Sequence, residues 1–404
     1  MRKAQQFVAE KMDNRTAEKI SLAYTSRNES AVDDALFYVY NIGNDDGFVI
    51  IAGDDRTVPV LGYTDRGSFS MDNMPENLKI WLEYYNEAIA QVVSRNIHVE
   101  ASQSRPSDVV KPLLSTRWDQ TWPYNLLCPM SGATQCPTGC VATAMAQVIN
   151  YHQFPVEETT EIPEYYCSSL GKTMPALPAT TFEWDKMKNT YGRNSSEESK
   201  MAVAKLMQYC GQAVEMDYSA SSAGAQTYDL PWRLPRYFKY PSTMHYVYHE
   251  GYSIAEWDSL ILKELKNNSP VLYTAYTTAW EGHAFVCDGY DGNGLYHINW
   301  GWGGNADGYY RISVLDASST GTGGSSTSMR FTINQAALLG MKTTDEDDYV
   351  APEEEVMFTS RPSLADGRQF ERDSVGVSFH RFRIAGDFLP TKGVWLLYFW
   401  LCPL

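Results

Sequence analysis

The hydrophobic rhythm changes several times along the chain, and each change predicts an element. Residues 2–13 space their apolar positions along one face of a helix, whereas ALFYVYNI (35–42) and GFVIIAGD (47–54) are short apolar runs rich in β-branched and aromatic residues. Asp46-Gly47 between those runs is a hairpin turn signal, and TVPVLGYT (57–64) predicts a further strand. Pro75 then stands at the first position of a long helical pattern through NLKIWLEYYNEAIAQVVSRN. Together these elements predict a small α+β domain over residues 1–103, without clustered reactive side chains, built to bind or to cover. The polar stretch ASQSRPSDVVKP (101–112) predicts an exposed linker, placed at 104–112, where proteases characteristically cut.

Residues 113–341 follow a second pattern. Ser195 with Glu198, and Ser253 with Glu256, have capping-box spacing ahead of helical periodicity. PVLYTAYT, HAFVCDGY, LYHINW and GYYRIS then come at short intervals with turn residues between them, as in an antiparallel sheet. A helix-rich half followed by a sheet predicts an α+β domain whose site lies where the halves meet. After Met341 the run TTDEDDYVAPEEE is acidic and poor in apolar residues. Residues 342–404 therefore divide into an acidic linker and a partial C-terminal extension. Its last run, VWLLYFWLCPL, is too short to cross a bilayer and fits a strand cut off in mid-domain.

Composition narrows the possible partners. With 44% hydrophobic, 13% aromatic and 20% charged residues in 404, the chain is globular and long enough for two or three domains. A net charge of −16 argues against nucleic acid or an anionic membrane as partner. Seven cysteines, an odd number in a large chain, predict free thiols over a disulfide framework. The opening MRKAQQFVAEKMDNR has no apolar h-region, so no signal peptide is expected in the chain as it stands.

The candidate chemistry centres on QCPTGCVATAMAQVINYHQFP (135–155). Thr138 is the expected N-cap, which places Cys140 in the first helical turn, where free N–H groups and the helix dipole favour a thiolate. Cys136 precedes Pro137 in extended chain and gains no such help. A nucleophilic cysteine needs a base, and of seven histidines His283, far downstream in EGHAFVCDGY, suits it best. His297 on the next strand could serve instead. Asn299 could accept from the imidazole with Trp300 shielding that bond, and the Gln120 side chain could join the Cys140 N–H in stabilising an oxyanion.

The runs WDQTWPYN, TGCVATAMAQVINYHQFP, VEMDYSASSAGA, GHAFVCDGY and YHINWGWGG resemble the streptopain family of secreted bacterial cysteine peptidases, which have a papain-like fold. DDGFVIIAGDDRTVPVLGY is similar to that family's inhibitory pro-domain. The resemblance covers about residues 1–341. It implies an endopeptidase made as a zymogen, with protein and peptide substrates and its own pro-domain as partners, and with no cofactor or metal. Cys140 would be the nucleophile, His283 the base that also protonates the leaving amine, and Gln120 an oxyanion donor. Trp300 would flank the histidine, with Asn299 as the other candidate for orienting it. Ser222 and Gly282 would line the substrate cleft, GTGGSSTS (321–328) would match a mobile loop near the site, and an apolar residue would be preferred two positions before the cut bond. Secretion is implied by the resemblance alone.

Three rival readings remain open from residues alone. One is a Cys-His amidase or acyltransferase acting on cell-wall peptides, and another is a catalytically inactive binding relative. The third, a structural zinc site using Cys136, Cys140 and a histidine, lacks the second ligand pair such sites usually show.

Overall fold

The structure, a computed structural model, describes residues 1–11, 19–27, 35–97, 108–249, 252–277, 282–313 and 333–343, and the backbone of 363–364 and 384–385. Met1–Glu346 form one compact unit and Asp347–Leu404 a second. In the second, only a short antiparallel pair is described, Ser363 opposite Ala385 and Leu364 opposite Ile384. The loop 321–328 and the final apolar run lie outside the described residues.

The first unit begins with α1 (Arg2–Lys11), followed by the strands β1 (Ile20–Arg27), β2 (Ala35–Ile42), β3 (Phe48–Ala52) and β4 (Val60–Tyr63) as an antiparallel meander. All five residues of β3 are buried, as its unbroken apolar run requires. Next comes α2 (Glu76–Ser94), which buries Leu78, Trp81, Leu82, Tyr85, Ala88, Ile89 and Val92, a stripe at helical spacing. Pro75 is the residue before this helix and not its first member.

The larger part contains α3 (Cys140–His152), α4 (Glu197–Ala213), α5 (Leu230–Phe238) and α6 (Ile254–Lys266). The first ten residues of α3 are all buried, so this helix runs through the core. Ser253 and Glu256 form the predicted capping box, but α4 is capped one residue later than predicted, by Ser196, whose hydroxyl accepts the Ser199 N–H at 3.3 Å. Beside three short two-stranded ribbons, six further strands among the described residues complete the large sheet: β5 (His245–Tyr248), β6 (Val271–Thr277), β7 (Gly282–Tyr290), β8 (Tyr296–Asn299), β9 (Gly308–Tyr310) and β10 (Ile333–Leu339). The sequence INQAALL of β10 has little β character; pairing on both sides, with β6 and β5, makes it a strand.

The two predicted domains share one sheet. Its ten strands run β1-β2-β3-β4-β9-β8-β7-β6-β10-β5, and the crossover is the antiparallel pairing of Tyr63 with Tyr309 and of Gly62 with Tyr310. The rings of Tyr63 and Tyr309 stack at 5.2 Å between centroids. Arg311 extends the joint, with its N–H on the Leu61 carbonyl at 2.8 Å and its Nε on the Val60 carbonyl at 2.9 Å. From α2, the Tyr85 hydroxyl sits between the carbonyls of Leu61 and Arg311 at 2.7 and 2.9 Å. The described part of the predicted linker, residues 108–112, is laid against β7: Val110 and Tyr290 exchange both backbone bonds, at 2.9 and 2.7 Å. Leu113 and Leu114 then donate to the Asp288 carbonyl and carboxylate, each at 2.9 Å.

Gly62 is required at the joint, because a Cβ there would meet the Tyr310 ring at 2.6 Å and the Tyr309 carbonyl at 3.0 Å. Gly62→Val is expected to cost about 1–3 kcal/mol through overpacking. Amide exchange should then rise in both 60–63 and 308–310; unchanged exchange in 308–310 would contradict a continuous sheet.

Candidate active site

Where the start of α3 meets β7, the Cys140 Sγ accepts the Ala284 N–H at 3.4 Å, which sets the thiol beside the strand residue that follows His283. Gly139, with φ of 86°, takes the N-cap position expected of Thr138. A Cβ on Gly139 would meet Met216 Sδ at 2.7 Å and the Ala223 carbonyl at 3.0 Å, so only glycine lets the chain turn here under that neighbouring segment. Thr138 instead pairs its hydroxyl with that of Thr143 at 2.8 Å, and Thr143 donates back to the Gly139 carbonyl at 2.9 Å.

The other predicted residues gather around this point. The Gln120 carbonyl accepts the Thr138 N–H at 2.9 Å, which ties its loop to the chain entering α3. Asp119 fixes the same loop by accepting the N–H groups of Gln120 and Thr121 at 2.6 and 3.0 Å. Ser222 lies one residue before the Ala223 carbonyl that overhangs Gly139, and shares a hydroxyl contact of 2.8 Å with Ser219. Gly282 opens β7 opposite Tyr276, where any Cβ would collide with Ala275 and Tyr276. A small cleft, partly open to solvent, runs beside His283 and is lined among others by Val141, Thr227, Tyr228, Tyr246, Tyr248 and Tyr276.

Asn299 and Trp300 do not hydrogen-bond the imidazole in this state. Asn299 is buried and its amide is fully engaged: Nδ2 donates to the Thr116 carbonyl and Gln147 Oε1, and Oδ1 accepts from Gln147 Nε2 and the Gly301 N–H. The Trp300 indole donates to the Ala306 carbonyl at 3.0 Å and packs on Phe285, Trp81 and Tyr310. His297, the alternative base, is buried against Asp288 at 2.6 Å, whose charge is the main influence raising its pKa against the lowering effect of burial. Nearby Asp307 is pushed up to about 7 by burial and accepts the Trp300 N–H at 2.9 Å.

Two contributors were not foreseen, Asn77 and Trp302. Asn77, in the first turn of α2 and fully buried, donates from Nδ2 to the carbonyls of Ala284 (3.2 Å) and Trp300 (2.8 Å). Its Oδ1 accepts the Trp302 indole N–H at 2.6 Å. One asparagine from the N-terminal part thus bonds both segments that flank the thiol. Its position in the sequence, a polar residue at a helix start, looks like an ordinary exposed site.

The electrostatics differ from the expectation of a lowered thiol pKa. Burial raises the Cys140 pKa above the ordinary value, outweighing the lowering by the N–H groups of Ala284, Val141 and Cys140 itself. Burial also lowers the His283 pKa, opposed by the Glu76 carboxylate of α2, and its Nδ1 is buried with no hydrogen-bond partner among the described residues. Burial thus disfavours the charged form of both groups. Cys136 is fully buried, its thiol pKa raised by burial, and the described residues contain no cluster of three metal-ligating side chains. No described helix is long and apolar enough to cross a membrane.

Comparison with known proteins gives the same architecture. The peptidase C10 family model matches residues 118–310, and the Spi protease inhibitor model matches residues 1–89. Streptopain of Streptococcus pyogenes is 34% identical over 361 residues, which cover 84% of this chain and 88% of that protein. The chain belongs to the streptopain family, peptidase C10. It is a cysteine endopeptidase of papain-like α+β fold, preceded by a pro-domain. The thiol protease/hemagglutinin PrtT of Porphyromonas gingivalis is 34% identical over 310 residues, 72% of this chain and 35% of that protein. Among solved structures, a prointerpain A fragment from Prevotella intermedia aligns with a TM-score of 0.67 and 31% identity, covering 80% of this chain and 99% of that one. Active interpain A aligns at 0.51 and 33% identity, over 60% and 99%.

Asn77→Ala would leave the Trp302 indole N–H and two carbonyls without their partner. At about 1 kcal/mol per hydrogen bond, the loss of 2–3 kcal/mol should weaken pro-domain closure by roughly 30- to 150-fold. Faster self-processing of the full-length variant, followed by mass, is the expected outcome; processing at the wild-type rate would show that Asn77 does not hold the site closed.

Proposed function

We propose that this chain is the closed precursor of an endopeptidase in which Cys140 is the nucleophile and His283 the general base. The observation that carries this is the Cys140 Sγ at the head of a buried helix, against the strand residue next to His283. In the reaction His283 takes the thiol proton and the sulfur attacks the substrate carbonyl. The negative oxygen is met by the Cys140 N–H and the Gln120 amide, and His283 then returns the proton to the departing amine. Water, activated by the same imidazole, hydrolyses the acyl thioester and restores the thiol.

Residues 1–103 act as the inhibitory pro-domain, and cleavage falls upstream of Asp108. Supporting that limit, residues 110–114 are bonded to β7, and Lys266 pairs with Asp108. Removing the pro-domain withdraws Asn77 and Glu76 from the site and frees Trp302. The cleft beside His283, lined by Val141, Gly282 and four tyrosines, receives an apolar side chain two residues before the cut bond, with Ser222 as a further substrate contact outside that lining. Trp300 and Asn299 support the histidine indirectly, by fixing the turn that follows β8 and not by a hydrogen bond to the imidazole. The substrates are proteins outside the producing cell, as the family resemblance implies.

The test is the mass of purified full-length protein over time, with an unfolded protein as added substrate. Wild type should shed its N-terminal part and leave a chain beginning at or before Asp108, whereas Cys140→Ala should stay intact and leave the substrate whole. A Cys140→Ala variant that trims itself as fast as wild type would sink the assignment.

A further inference from the structure

Gln147 interrupts the apolar run of α3 and none of the chemistry above requires it. It follows Cys140 by two helical turns, about 10 Å along the axis, on the same face of the helix. It is completely buried, a costly place for an amide unless every polar atom is paired. The pairing is specific. Gln147 Nε2 donates to Asn299 Oδ1 at 3.0 Å while Asn299 Nδ2 donates to Gln147 Oε1 at 3.1 Å, so the two amides lie head to head. Thr116 adds its hydroxyl to Gln147 Oε1 at 2.8 Å and its carbonyl to Asn299 Nδ2 at 2.8 Å. Asn299 Oδ1 also takes the Gly301 N–H at 3.0 Å.

Asn299 has no hydrogen-bonding capacity left, and its bond to Gly301 reaches the turn between Trp300 and Trp302. That turn also rests on α3, since a Cβ on Gly301 would lie 3.3 Å from Thr143 Cγ2, one helical turn beyond Cys140. The helix carrying the thiol and the turn carrying the tryptophans are thus fixed to each other by one amide pair, and the turn passes so near α3 that only glycine leaves Thr143 undisturbed.

We propose that Gln147 is a positioning residue of the peptidase, which through Asn299 holds the Trp300–Gly301–Trp302 turn in register with the Cys140 end of α3. This rests on the endopeptidase reading. Both side chains of the pair belong to the mature part of the chain, so the lock persists after the pro-domain leaves. It acts on the geometry of the chemical step and not on the substrate cleft, from which Gln147 is absent.

The experiment compares Gln147→Met, which keeps the shape and loses every hydrogen bond, with Gln147→Glu, which keeps the acceptors and regains a donor only when protonated. Each full-length variant is processed, its reactive Cys140 is counted by a thiol-directed epoxide, and kcat and KM on a peptide are read per labelled site. A residue that merely stabilised the fold would change the number of labelled sites and not their turnover. The expected result for Gln147→Met is a kcat tenfold or more below wild type with KM within threefold. Gln147→Glu should recover towards wild type as the pH falls. A kcat per site within twofold of wild type in both variants would overturn the proposal, and if Gln147→Met does not fold, a Gln147→Glu deficit that ignores pH does the same. Failure of the epoxide to label Cys140 in wild type would overturn the endopeptidase reading itself.

Discussion

One edge pairing determines the rest of the structure. Where Gly62 and Tyr63 of β4 meet Tyr310 and Tyr309 of β9, two sheets become one, and the orientation of the pro-domain is set by backbone hydrogen bonds and a stacked pair of rings. Sheet edges are adhesive because they present unpaired N–H and C=O groups, and here each part uses the edge of the other. With the sheet continuous, α2 is carried across β7 and β6. Trp81 then packs on Phe285 and Trp300, and Asn77 reaches the Ala284 and Trp300 carbonyls.

The consequence at the thiol is dielectric more than steric. A helix N-terminus favours a thiolate, but its influence is worth at most a few kcal/mol, and burial can shift a group by several pKa units the other way. In the closed chain burial wins for Cys140, and it also discourages the imidazolium at His283. The precursor therefore holds Cys140 against the strand residue that follows His283, with burial disfavouring the charged form of each group.

Sequence patterns foretold the elements whose signal is local. The strands at 35–42 and 47–54, the capping box at Ser253 and the thiol at a helix start all depend on neighbours within one turn or one hairpin. What could not be read depends on partners far away in the chain. Gly62 looks like a weak point in its strand until Tyr310 is opposite it, and Asn77 looks solvent-exposed until Trp302 reaches it. Gln147 looks like a flaw in an apolar helix until Asn299 is known to face it. The same pairing explains why Asn299 does not hydrogen-bond the imidazole here: its four bonds are already made within the core. The expected fall in the thiol pKa failed for a related reason, since dipole and capping are local and burial is not.

The central claim is that the pro-domain keeps the thiol and the imidazole both neutral, and the pH dependence of Cys140 alkylation tests it most directly. Brief treatment with a neutral alkylating agent, followed by peptide mapping, gives the rate for Cys140 in the freshly purified precursor and in the processed enzyme. A thiol whose pKa is raised above its ordinary value reacts slowly at neutral pH, and its rate keeps climbing as the pH rises past that value. The account predicts this profile for the precursor, and for the processed enzyme a rate at pH 7 about a hundredfold higher that varies little between roughly pH 5 and 8, as a thiolate–imidazolium pair requires. A precursor that already alkylates at the processed rate near neutrality would contradict the account.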